Sequence, residues 1–186
     1  MSYKRTLQNL KKLPARVLFT LKAIPAGLRG ELVVATAALS LVHIRADGSR
    51  DDRGVVSRKK VTQAFVKDIV NAMGSTASTY ATFDEYQWHD SGIGVTDENN
   101  ADTTMETSDG EARVNSGSRL NTGTTTGIFT SIGTISYTTT KAITEHGVFN
   151  ASTGGTMLDR SKFTAVNVIS GDSIQFTYVL TINPEA

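Results

Sequence analysis

The sequence contains no cysteine. Disulfides, thiolate metal sites and a cysteine nucleophile are therefore all excluded, and synthesis in a reducing cytosol fits that composition. Proline is scarce, with three residues, and there is one tryptophan. Long apolar runs are missing too. The longest mostly apolar stretch, Leu32 to Ile44, is about a dozen residues broken by Thr36, Ser40 and His43, against the ~20 that a membrane helix requires. The basic N-terminus lacks the clean apolar stretch and small-residue cleavage site of a secretory leader, because Arg16, Lys22 and Arg29 interrupt it. Acidic residues are absent before Glu31.

That last absence divides the chain by charge. Residues 1–67 hold fourteen Lys/Arg against four Asp/Glu, a net of +10, and the remainder holds five against fourteen, a net of −9. A basic segment on an acidic body suits a negatively charged partner: an acidic protein surface, a nucleic acid, or the body of another copy. Residues 1–30 read as an extended arm, because Pro14 and Pro25 cut its helical spacing. The candidate partner-binding residues are Lys4, Arg5, Leu10, Lys11, Lys12, Arg16, Phe19, Leu21, Lys22, Ile24 and Arg29. Their mixture of charge and apolar surface suits ordering by packing on a partner. The plainer readings are a solvated tail, or an arm that packs on its own domain.

Residues 31–74 read as a β-hairpin followed by a helix that packs on the body. Leu39, Leu41 and His43 alternate with Ser40, Val42 and Ile44, and Ala46-Asp47-Gly48-Ser49 carries an Asp-Gly turn. Phe65, Ile69 and Met73 recur at helical spacing, which predicts a helix over 61–73 with Gly74 closing it. Residues 75–186 read as an antiparallel β domain rich in Ser, Thr and Gly. Strands are predicted at 80–89, 111–118, 127–137, 141–149, 155–163 and 172–181. In the last, Ile174, Phe176, Tyr178 and Leu180 share one face. The fold class is thus mainly β: an antiparallel sandwich or jelly-roll-like domain with one short helix and an N-terminal arm. Residues 90–109 read as a long acidic loop with little core content.

Chemistry-bearing motifs are few. His43, His89 and His146 are isolated in sequence, so a metal site would have to be assembled from distant strands; each reads more simply as a strand or turn histidine. Asp97-Glu98-Asn99-Asn100-Ala101-Asp102 resembles a calcium loop but has no glycine at its sixth position, so a solvated loop or a site for a neighbour's basic arm reads better. There is no Gly-x-Ser-x-Gly elbow, Walker A sequence or dinucleotide fingerprint. Thr122–Gly127 is Gly/Thr-rich but has no lysine, and Asp84 and Glu85, adjacent in a strand, point to opposite faces. Asn150-Ala151-Ser152 matches a glycosylation acceptor, a pattern common by chance. Arg58-Lys59-Lys60 could meet phosphates, but the acidic body and the lack of interleaved aromatics argue against nucleic acid as the main partner. No catalytic residue, metal ligand or cofactor is expected.

Several segments carry a resemblance: Tyr86–Gly94 (YQWHDSGIG), Ala142–Phe149 (AITEHGVF), Gly155–Arg160 (GTMLDR) and Ile169–Tyr178 (ISGDSIQFTY), with Gly54–Lys59 before them. Taken in order, they resemble a group of tailed-bacteriophage virion proteins over roughly residues 50–183. The resemblance implies a structural virion component, a capsid decoration or cement protein made in the host cytoplasm, and no catalytic residues come with it. Its implied partner is the major capsid protein, and a trimer would match local three-fold sites on a shell. The resemblance also suggests turn or bulge roles for Gly147 and Gly171 and a cross-strand pair between Glu145 and Arg160. A tail, neck or receptor-binding component is the alternative, and an enzyme on a β scaffold is the third reading.

Overall fold

The computed structural model describes residues 35–58, 61–73, 86–116, 118–122 and 127–182. All eleven candidate arm residues lie outside that set. So do Lys59, Lys60, Gly74, Asp84, Glu85, most of the Thr122–Gly127 stretch, and the first part of the strand predicted at 80–89.

The described residues form an antiparallel β-sandwich with one helix. The strands are β1 (Ala35–Ile44), β2 (Arg50–Ser57), β3 (Trp88–Gly92), β4 (Val114–Asn115), β5 (Ser118–Thr122), β6 (Gly127–Ser136), β7 (Lys141–Phe149), β8 (Met157–Val168) and β9 (Ser173–Ile182). Five strands form one sheet in the order β2-β1-β9-β6-β5, and four form the other in the order β4-β3-β7-β8. Among the described residues, the chain changes sheet four times: between β2 and β3, β4 and β5, β6 and β7, and β8 and β9.

The sequence placed the hairpin against the body; in the structure it is woven into it. β1 pairs with β9 along its whole length, from Ala35↔Ile182 to Ile44↔Ser173. The turn forms where Asp47-Gly48 predicts it. Gly48 takes a positive φ of 83°, and the Asp47 carboxylate accepts the Ser49 amide at 2.8 Å.

Alternation decides which side chains meet between the sheets. Leu39 and Leu41 on β1, Ile174, Phe176, Tyr178 and Leu180 on β9, and Ile135 on β6 face Ile143, Val148, Phe163, Val166 and Val168 of the other sheet. Truncating any one of the leucines to alanine should cost about 2–5 kcal/mol.

The helix, α1 (Gln63–Met73), starts two residues later than the hydrophobic spacing predicts. Val61 is diverted into a β-bridge with Asp159, and Thr62 becomes the cap. The Thr62 hydroxyl accepts the Phe65 amide at 3.2 Å and donates to the Met157 carbonyl at 2.5 Å. Phe65 then stands edge-on to Tyr86, with ring centres 5.1 Å apart. The Tyr86 hydroxyl donates to Asp68 at 2.6 Å, which holds the helix to the segment before β3.

Candidate functional site

The strongest side-chain constellation lies on the outer face of the four-stranded sheet. Along β7, Val148 faces inward, so Gly147, Glu145 and Phe149 fall on the other side. Glu145 is nonetheless fully buried, because the segment between β3 and β4 folds over it. Its carboxylate accepts four hydrogen bonds: from Gly94 N at 3.1 Å, Thr107 N at 2.9 Å, Glu106 N at 3.3 Å and Arg160 Nε at 2.6 Å. The rest of the Arg160 guanidinium reaches Asp102 at 2.9 Å, Glu106 at 3.1 Å and the Thr96 carbonyl at 3.2 Å.

The supposedly solvated acidic loop is therefore a cover, organised around one buried cation. The physical reason is local charge balance: Asp102 and Glu106 neutralise this chain's own Arg160, and several loop amides are satisfied by Glu145. Gly94 is required because a Cβ there would lie 2.6 Å from the Glu145 carboxylate. Met105 from the same loop packs into a second small core with Phe149, Met157 and Trp88. A Cβ on Gly147 would meet the Met105 sulfur at 2.7 Å, so Gly147 serves a close approach within a strand, not a turn. Gly171, with φ of 91°, does occupy a turn.

Further staples hold the cover's ends. Arg113 pairs with Asp90 at 2.9 Å, donates to the carbonyls of Ala151 and Gly154, and lies 3.4 Å from the centre of the Phe149 ring. Burial raises the Asp90 carboxyl, and Arg113 works against that rise. Glu111 meets Lys141 at 2.6 Å and the Thr138 hydroxyl at 2.9 Å, and these bonds hold its carboxyl below its ordinary value. Asn150 of the glycosylation-like triplet uses its side-chain carbonyl to accept the Thr156 amide at 2.7 Å.

Two of the three isolated histidines meet in the core. His89 Nδ1 lies 2.9 Å from His146 Nε2, and His89 Nε2 lies 2.8 Å from the Ser131 hydroxyl on the opposite sheet. Two neutral imidazoles satisfy their contact with a single proton between them. Burial pulls His89 down to about 4 and His146 well below its ordinary value. His146 also stacks on Phe176 at 4.3 Å. Sequence spacing could not bring these residues together, yet a signal was present. Gly133 interrupts β6, and a Cβ there would lie 2.5 Å from the His89 ring.

The third histidine lies at one end of the sandwich. His43 Nε2 sits 2.9 Å from Asp172 Oδ2. Asp172 also accepts the Ala46 amide at 2.9 Å and the Ile169 amide at 3.1 Å. Burial pushes the Asp172 carboxyl upward, but these bonds together hold it below its ordinary value. The pair forms the floor of a cleft of about 510 Å³ lined also by Arg45, Asp47, Arg53, Ala165 and Asn167.

Among the described residues, no group of three or more His, Asp or Glu side chains is arranged to hold a metal ion. No described helix is long and apolar enough to cross a membrane. No protein-family model matches this sequence, and no curated protein is similar enough to match it.

Proposed function

We infer that this protein is a structural component of a phage particle: a capsid decoration or cement protein that binds across neighbouring major capsid subunits through its N-terminal arm. One structural observation supports the reading above the others. Three of the four main segments that carry the virion resemblance supply adjacent strands of one sheet: Tyr86–Gly94 enters β3, Ala142–Phe149 lies in β7 and Gly155–Arg160 enters β8. The fourth, Ile169–Tyr178, makes the turn into β9, which belongs to the other sheet.

Their charged and polar residues act on this chain itself. Glu145 and Arg160 bind the loop, and His89 binds both His146 and Ser131. Such a pattern specifies a stiff, stapled body and leaves partner recognition to surfaces and to the arm. The basic arm and acidic remainder provide the complementary charges for attachment to a shell or to a neighbouring copy. A closed three-fold ring of copies suits the local symmetry of a capsid.

The test is where the protein sits on the particle. Purified heads and isolated tails from one lysate are separated, probed with antibody against this chain, and imaged. Density and antibody signal on heads support the reading. Signal confined to tails or necks replaces it with the tail-component alternative, and absence from both removes the virion role.

A further inference from the structure

The cleft at the His43 end of the sandwich is built between two turns, Arg45–Ser49 and Ile169–Asp172, and the virion reading makes no use of it. Asp172 is directed inward and saturated by His43 and by the amides of Ala46 and Ile169. It fixes both turns and leaves the guanidinium groups as the charged donors in the lining, beside the side-chain amide of Asn167. Arg45 donates to the Ser49 hydroxyl at 3.4 Å and forms no ion pair among the described residues, although Asp47 is near enough to feel its charge. Arg53 is held from one side by Asp51 at 3.3 Å and reaches the Ala165 carbonyl at 3.5 Å.

Charge and shape narrow the ligand. The lining places Arg45 and Arg53 against Asp47 and Asp172, so its formal charges balance. Asp172 is spent on His43 and the turn amides, and Asp47 on the Ser49 amide, so Arg45 is the charge left to a ligand; a single negative charge fits it, whereas a phosphate dianion or a polyanion would be repelled more strongly by the two carboxylates. Guanidinium groups match the planar geometry of a carboxylate. Beside them, Ala46, Ala165 and Ile169 give an apolar lip, and Ile169 is 56% exposed. The volume, about 510 Å³, lies within the range of small-ligand sites. The lining contains no serine, threonine, cysteine or tyrosine to act as a nucleophile.

We propose that this cleft binds a monocarboxylate on a short alkyl stem, with Arg45 and Arg53 receiving the carboxylate and Ile169 and Ala165 receiving the stem. Such a group is presented by a glutamate side chain of a partner protein or by a free short-chain acid. The proposal stands apart from the virion reading, and either can fail without the other.

The test is an amide chemical-shift titration of the isotope-labelled full chain. The probes are butyrate, the blocked peptide acetyl-Ala-Glu-Ala-amide, its glutamine counterpart, and inorganic phosphate. The expected result is saturable movement of the Ala46, Arg53, Asn167 and Ile169 amides with butyrate and the glutamate peptide, at a Kd of about 1–10 mM. The glutamine peptide and phosphate should produce none. The double variant R45Q/R53Q should weaken carboxylate binding about tenfold or more. Its unfolding midpoint should be unchanged, because both side chains are largely on the surface. Saturation by butyrate alone assigns the site to a free acid and overturns the partner-protein source. No saturation by either carboxylate, an equal response to the glutamine peptide, tighter binding of phosphate, or full affinity in the double variant overturns the site.

Discussion

Arg160 Nε donates to Glu145 Oε2 at 2.6 Å between neighbouring strands, with Glu145 at 0% exposure and Arg160 at 3%. Arg160→Ala strands a buried carboxylate that no solvent reaches, and loss of one partner of such a pair costs about 3–5 kcal/mol. Urea unfolding should register that loss. Hydrogen exchange at Gly94, Glu106 and Thr107 should accelerate more than at β9, because those amides or their neighbours depend on Glu145 staying in place. A loss under about 1 kcal/mol, or uniform exchange changes, would show that the cover is not hung on Arg160.

The histidine pair predicts acid sensitivity. His89 is held at about 4 in the folded chain against 6.5 ordinarily, so the unfolded chain takes up the proton first as pH falls. Stability from this group is fully present above about 6.5 and is lost progressively down to about 4. At about 1.4 kcal/mol per unit, the drop is on the order of 3 kcal/mol from His89, and His146 acts in the same direction. An NMR titration should find the His89 ring still neutral at pH 5. Titration near 6.5 would refute the buried, neutral pair.

Asp159 works with the opposite sign. Burial raises its carboxyl to about 7, with the Ser161 hydroxyl opposing and Glu98 adding to the rise. The unfolded chain ionises this group from about 3.8, so stability is lost as pH rises from there to 7. Asp159→Asn removes that loss and keeps an acceptor for Ser161. The variant should unfold later than wild type at pH 7 and above, by on the order of 4 kcal/mol, and match it near pH 4. Between those limits its stability should fall more steeply with acid, because the histidines then act unopposed. Equal midpoints at pH 8 would count against a protonated Asp159.

Removing residues 1–29 tests the proposed attachment. The truncated chain should keep the far-ultraviolet circular dichroism of a β protein and its unfolding transition, and lose affinity for heads. Salt should release the intact protein only in part, because Leu10, Phe19, Leu21 and Ile24 contribute apolar contact that ions do not screen. Undiminished binding after truncation, or complete release at moderate salt, would contradict attachment by burial and charge together.

Local features were legible where neighbours in sequence are neighbours in space. The Asp47-Gly48 turn, the alternation of Ile174, Phe176, Tyr178 and Leu180, and the Phe65–Ile69 stripe each rest on a period or a backbone preference carried within a few residues. The boundaries of α1 moved because Val61 found a strand partner in Asp159, which helical spacing cannot anticipate. The cover loop was read as solvated because its acids outnumber its apolar residues. The cation that neutralises them, Arg160, lies more than fifty positions away in the chain.

By itself, then, the sequence determined the β class, the division of charge and most of the secondary elements, though not the position of β3 or the separation of β4 from β5, because composition, alternation and turn chemistry act over short stretches. Tertiary structure alone decided that β1 lies against β9, that His89 meets His146, that Glu145 is saturated by a returning loop, and that Arg45 and Arg53 border one cleft. Those outcomes depend on which strands become neighbours and on which face of a sheet the connecting loop covers. The enclosing low-dielectric core then makes each close polar pair mandatory once it has formed.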